Sequence, residues 1–399
     1  MDRRLYLALF LTILSTTMGT SIVLPLLPVY AVQMGATGFE LGLIFTSFAL
    51  ARAITLPLAG RMAESYGRRG FLLWGLILFA VTSGAYDLAR NVREIIAIRV
   101  LQGVAAAMVV PMARAYVGEM SPPGQEGRLM GHFNVAFFGG LTLGPFLGGY
   151  LKDTIGISSA FYSMGILTLI GFVLSWTSVQ ATPIAVGREI EKQASYLALL
   201  RHPGMTAIFL FRFGTIIGTG MQWSFLPVYG HQLGLSSSRI GVLISITVLM
   251  TTMFQPFFGW IADRVNRPLM TIAGGLSASL LLMILPFCHT FGPLLVVNLI
   301  MGTSFGLYVP PLMAMTVEVG RETGHMTKAM SLLEMSFSFG MVAGPLLAGL
   351  VEERWGVASV FWIGGVSGLL VTLLFLVYVL IRGRDLGQTP PPRGADATF

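Results

Sequence analysis

Charge is scarce in this chain. Of its 399 residues only 11% are Asp, Glu, Lys or Arg, while 54% are hydrophobic. A soluble domain carries about 25% charged residues, so water cannot be the main solvent of this surface. Cysteine is almost absent: Cys288 stands alone, which excludes an intrachain disulfide and a thiolate metal site. The five histidines are scattered without metal-ligand spacing. No nucleotide-binding motif is found either. No metal and no cofactor is therefore expected, and the energy for any work must come from an ion gradient. No loop is long enough for a soluble sensing domain, which argues against a receptor. No nucleophile–base pair is found, which argues against a membrane enzyme. The net charge of +7 does not point to nucleic acid, because the basic residues sit in short loops between apolar runs.

What fills the chain is apolar runs. A bilayer core needs roughly 20 apolar residues per helix. Twelve segments qualify: 5–32, 40–60, 70–89, 94–118, 129–151, 158–179, 204–230, 238–259, 268–289, 292–317, 329–351 and 356–381. The first is too long for a signal-peptide core and is read as a spanning helix. The fold class is thus an all-α membrane protein of twelve transmembrane helices. Residues 1–179 form an N-terminal six-helix bundle and 204–381 a C-terminal one. Residues 180–203 are a cytoplasmic linker, and 382–399, with three consecutive prolines, a disordered cytoplasmic tail. With the N-terminus inside, sixteen basic residues fall on the cytoplasmic side and five outside. This places both termini in the cytoplasm of a cell (inner) membrane protein.

The chain also says one thing twice, about 199 residues apart. Leu27-Pro28-Val29-Tyr30 recurs as Leu226-Pro227-Val228-Tyr229. Gly60, Glu64, Gly67 and Arg68 have counterparts in Gly259, Asp263, Asn266 and Arg267. Gly103 matches Gly302, Pro111 matches Pro310, and Glu119 matches Glu318. Gly140, Gly144 and Pro145 recur as Gly340, Gly344 and Pro345. A half-chain repeat in a membrane protein implies two similar bundles around one central site, the architecture of alternating-access transporters.

Several of these residues resemble the motifs of a known family. Gly19-x5-Pro25-x2-Pro28, the loop Gly60–Arg69, Arg99-Val100-Leu101-Gln102-Gly103 and the stretch Gly140–Gly149 are similar to motifs of the major facilitator superfamily, in particular its twelve-span drug:proton antiporters. Glu64 stands where that family usually has aspartate; Asp263 keeps the aspartate. The resemblance implies a secondary transporter that exports an amphiphilic organic compound or drug by proton antiport. Its partners would be a small-molecule substrate, protons and the lipid bilayer, and it is expected to be a monomer. It also implies that Arg99 assists proton transfer, and that Gly140, Gly144, Pro145, Gly148 and Gly149, with Gly344 and Pro345, seal the contact between the halves. The acid–base cluster Glu64, Arg68, Arg69 and Glu119, and its copy Asp263, Arg267 and Glu318, reads as a conformational latch. The plainer reading is a basic loop that only fixes topology.

Ionisable groups inside the spans mark candidate sites. Arg52 lies mid-helix, Arg212 on the seventh span and Arg99 on the fourth. Arg99 could instead bond backbone carbonyls at a helix contact. Helix one carries no acid after Asp2, so Glu334 is the carboxylate best placed to titrate. Its repeat mate is Asn134, and that of Arg99 is Asn298, so neither charge is a scaffold requirement. Gln222 is a further polar point of an apolar cavity. Arg114 is read as reaching the interface. The excess of buried arginines over acids leaves an alternative open: a transporter or flippase of an anionic metabolite or lipid.

Overall fold

The computed structural model describes residues 3–120, 126–179 and 196–382. The tail beyond Arg382 and most of the expected linker lie outside the described residues. So do the side chains of Glu64 and Glu119, and nothing is described at Gly60 beyond its helical backbone.

The described residues are helical almost throughout. The first span is two helices, α1 (Arg3–Ile22) and α2 (Leu27–Gln33), rather than one. Pro25 has no N–H to continue the ladder and Pro28 sits in the first turn of α2. The backbone passes the break with Leu27 N–H bonded to Val23 O at 2.8 Å. Then follow α3 (Gly38–Tyr66), α4 (Arg68–Leu88), α5 (Val92–Met120), α6 (Glu126–Thr154) and α7 (Ile157–Ser178). A short α8 (Tyr196–Leu200) precedes α9 (Pro203–Gln232), α10 (Ser237–Ala262), α11 (Arg267–Ile284), α12 (Phe291–Glu322), α13 (Met326–Trp355) and α14 (Val357–Arg382). Among the described residues eleven stretches are long and apolar enough to cross a membrane. The twelfth is α6, at 29 residues. The protein is a multi-pass membrane protein.

Helices α3 and α12 run about five residues beyond their apolar segments. The stretch read as a loop after the second span is therefore mostly helix. The turn itself is Gly67, at φ +91°, a conformation that favours a residue without Cβ.

Helices α1–α7 pack among themselves, as do α9–α14, and the two sets meet along α3 with α13 and α6 with α10. The repeat is visible in these contacts. A Cβ on Gly103 would lie 2.4 Å from the carbonyl oxygen of Phe48, and one on Gly302 2.4 Å from that of Thr247. These oxygens are again 199 positions apart. Across the interface, Gly42 abuts the carbonyl of Pro345 and Gly241 that of Pro145. Likewise Gly349 abuts the carbonyl of Gly38, and Gly149 that of Ser237. The Gly-Pro motif therefore has two duties. Gly140, Gly144 and Gly148 pack on α1, and Gly344 packs on α9, inside their own halves. Gly149 and the carbonyls of Pro145 and Pro345 meet the other half, while the Pro345 ring packs on Gly220 of α9.

Hydrogen bonds gather at the same end, remote from the chain termini. Asp153 accepts from the backbone N–H of Ser237 (3.1 Å) and of Ser238 (2.7 Å), at the start of α10. Its repeat mate Glu353 accepts from Phe39 N–H (3.1 Å), at the start of α3. Each half thus caps a helix N-terminus of the other, where orphan donors and the helix dipole favour a carboxylate. Lys152 Nζ donates to Ser237 Oγ at 2.6 Å.

Overpacking this seam should open it. In a Cys288→Ser background, spin labels at Thr154 and Arg239 should report a short distance that lengthens in Gly241→Val, because the added methyls collide with the Pro145 carbonyl. An unchanged distance distribution would show that the glycine contact does not hold this end closed.

Candidate functional site

The residues singled out from sequence fall into three places. The first is the interior of each half. Arg99 is only 3% exposed. Its Nε donates to Ile44 O at 3.2 Å, and its guanidinium lies 4.3 Å from the Phe48 ring centroid and 5.7 Å from that of Phe45. Tyr86 OH donates to Gln102 Oε1 at 2.7 Å, beside it. Its mate Asn298 is fully buried. It accepts from Gln222 Nε2 (2.9 Å) and Thr247 Oγ1 (3.0 Å) and donates to Leu294 O (2.8 Å). The two mates do the same work: Arg99 ties α5 to α3, and Asn298 ties α12 to α10 and α9. Gln222 belongs to this network. Beside it lies a cavity of about 20 Å³ lined by Thr215, Thr219 and Ser279, space for about one water. Gln222 Oε1 has no protein partner there.

The second place is the end near the termini. Arg267 bonds Glu318 through Nη1, and its Nη2 lies 3.6 Å from Asp263. The structure thus assembles the C-terminal copy of the cluster. In the N-terminal copy Arg69 donates to Trp176 O at 2.9 Å, with its guanidinium over the indole.

The third place is the cleft between the halves. Arg52 on α3 and Arg114 on α5 both interact electrostatically with Glu334 on α13. The helix register agrees. Gly38 lies beside Gly349, Gly42 beside Pro345, and Thr46 Oγ1 donates to Val342 O at 2.9 Å. Two further steps of four along each helix bring Glu334 level with Ile54, within about 3 Å of Arg52 along the axis at 1.5 Å per residue. Arg52 lies about 21 Å along α3 from its capped end by the same rise. Arg52 is half-buried, while Arg114, Glu334 and Asn134 are exposed. The contacts that close the other end are not reached here. Arg114 stacks at 5.4 Å over Phe137, and Arg212 at 5.4 Å over Phe337, one turn from Glu334. Arg212 Nε has no hydrogen-bond partner.

Sequence reasoning missed Arg114, since an arginine near a helix end ordinarily reaches the interface. The signal was Phe137, an aromatic face on the neighbouring helix. Among the described residues no three His, Cys, Asp or Glu side chains group as metal ligands.

This arrangement of two repeated helical halves has counterparts in known proteins. An uncharacterized MFS-type transporter of Methanocaldococcus jannaschii is 25% identical over 92% of this chain and 96% of its own. The multidrug resistance protein MdtG of Salmonella paratyphi A is 26% identical over 86% of this chain and 87% of its own. A bacterial homologue of the human lysosomal transporter Spinster, solved in an inward-facing, occupied conformation, superposes with a TM-score of 0.80. That match has 14% identity and covers 96% of this chain and 98% of the other, and so shows the shared fold. The family model of the Major Facilitator Superfamily matches residues 9–217 and again 208–398, once for each half. Both halves of the chain carry the family's sequence pattern and the whole has its fold, so this protein belongs to the major facilitator superfamily of transporters.

Proposed function

We propose that the protein is a secondary active transporter that exports an amphiphilic organic compound by proton antiport. It works as a monomer by alternating access, in a cell membrane with both termini in the cytoplasm. One observation carries this reading. Glu334, a carboxylate within the apolar run of α13, lies within electrostatic range of Arg52 and Arg114 of the opposite half. The name of the relative MdtG supports an organic drug as cargo.

The mechanism follows from which group can change charge. Arginine stays protonated, so Arg52 and Arg114 cannot carry the transported proton. Glu334 can. The halves are joined at the end capped by Asp153 and Glu353, which leaves the cleft facing the side of the termini. Ionised Glu334 is drawn toward the two guanidiniums of the other half, which favours closure around whatever lies between them. A proton on Glu334 removes that attraction. Occupancy by a proton or by substrate therefore biases two packings of the same bundles, and a few kcal/mol suffices to reverse such an equilibrium. Arg99 contributes by holding α5 on α3, the two helices that present Arg114 and Arg52.

In proteoliposomes, substrate should drive proton flux in the wild type, and Glu334→Gln should reduce it at least tenfold while downhill exchange at saturating substrate is retained. Unchanged flux in the variant would remove Glu334 from the coupling. Arg99→Lys should fail to restore what Arg99→Ala loses in thermal stability, because an ammonium lacks the planar fork set between two phenyl rings. Full rescue by lysine would assign Arg99 a purely electrostatic role.

A further inference from the structure

The charges that act on Glu334 come from across the halves. Both cations that interact with Glu334 belong to the N-terminal half, on α3 and α5, and the anion belongs to the C-terminal half, on α13. The register of α3 on α13 sets Arg52 and Glu334 at one level, about midway along α3. Arg114 and Glu334 are open to solvent, so a ligand can reach both signs of charge. Aromatic faces flank each side: Phe137 lies under Arg114, and Phe337 lies one turn from Glu334.

We propose that this site takes an amphiphilic zwitterion, an apolar body bearing one acidic and one basic group. Its carboxylate is held by Arg52 and Arg114 and its ammonium by Glu334. The inference rests on the transporter reading above and names its substrate class. The charge arithmetic of the cluster selects it. A cation would pair with Glu334 but stand among two like charges. An anion would pair with the arginines but stand beside the like charge of Glu334. A zwitterion gives each sign of charge a partner of its own, and planar guanidiniums suit a carboxylate. Because the two pairs lie on opposite halves, one such ligand bridges them, which links binding to closure.

Four probes on one aryl-alkyl scaffold test this: the free amino acid, its ester (a cation), its N-acyl derivative (an anion) and the N-acyl ester (neutral). Affinities are measured on the purified full-length protein by tryptophan fluorescence. The zwitterion should bind at least tenfold tighter than any other probe. Glu334→Gln should erase its advantage over the N-acyl acid, and Arg52→Gln its advantage over the ester. If a variant fails to fold, the wild-type ranking alone decides. An ester that binds as tightly as the zwitterion would overturn the proposal in favour of a cation site, and an equally tight N-acyl acid in favour of an anion site. Equal affinity for all four, or no binding, would overturn it too. Counterflow of the tightest-binding probe in proteoliposomes reads the transporter function separately: movement upholds that function even where the zwitterion preference fails.

Discussion

The two halves meet where side chains are absent. At four places, related in pairs by the repeat, a glycine lets a backbone carbonyl of the opposite half come so close that a Cβ would fall within 2.2–2.4 Å of it. In lipid, where apolar burial no longer drives helices together, such close backbone packing supplies the attraction. The contact is also directional. It fixes α3 on α13 and α6 on α10 at one end, and leaves the other end to whatever charges and ligands lie there. Asp153 and Glu353 strengthen the same seam by capping the helices they meet. The cleft is thus defined less by its own walls than by the seam that closes behind it.

Within that frame, buried charge has two uses. Arg99 is sealed between phenyl rings and a carbonyl, at a position whose mate is an asparagine. Both residues fasten neighbouring helices by hydrogen bonds to helices of the same half. Arg52 and Arg114 instead stand in a cleft that solvent reaches, with their counter-charge on the other half. A charge satisfied inside one half cannot sense the relation between halves; a charge that acts across the cleft can.

Most of the architecture was legible in the sequence, because the repeat and the apolar runs are strong signals and the twelve segments lie where helices form. Helix ends were less so. Hydropathy marks the apolar part of a helix, while α3 and α12 continue into polar residues, and the break between α1 and α2 is set by Pro25 inside an apolar run. The site was only partly legible. Arg52 and Glu334 lie at the cleft and Arg212 beside it, while Asn134 is exposed with no described contact that ties it there. Arg99, Gln222 and Asn298 do not lie at the cleft, since facing a cleft and facing a neighbouring helix differ by a rotation about the helix axis that one sequence does not record. The pairing of Arg99 with Asn298 was the available hint: both side chains can bond a neighbouring helix, and only one carries charge.

The central claim is that Arg52 and Glu334 act on each other across the cleft. Exchanging the charges tests it most directly. Transport of the same substrate is measured for Arg52→Glu, for Glu334→Arg and for the double exchange. Each single change should abolish transport, and the double exchange should recover a measurable fraction of it. A double exchange no better than the worse single change would contradict the account.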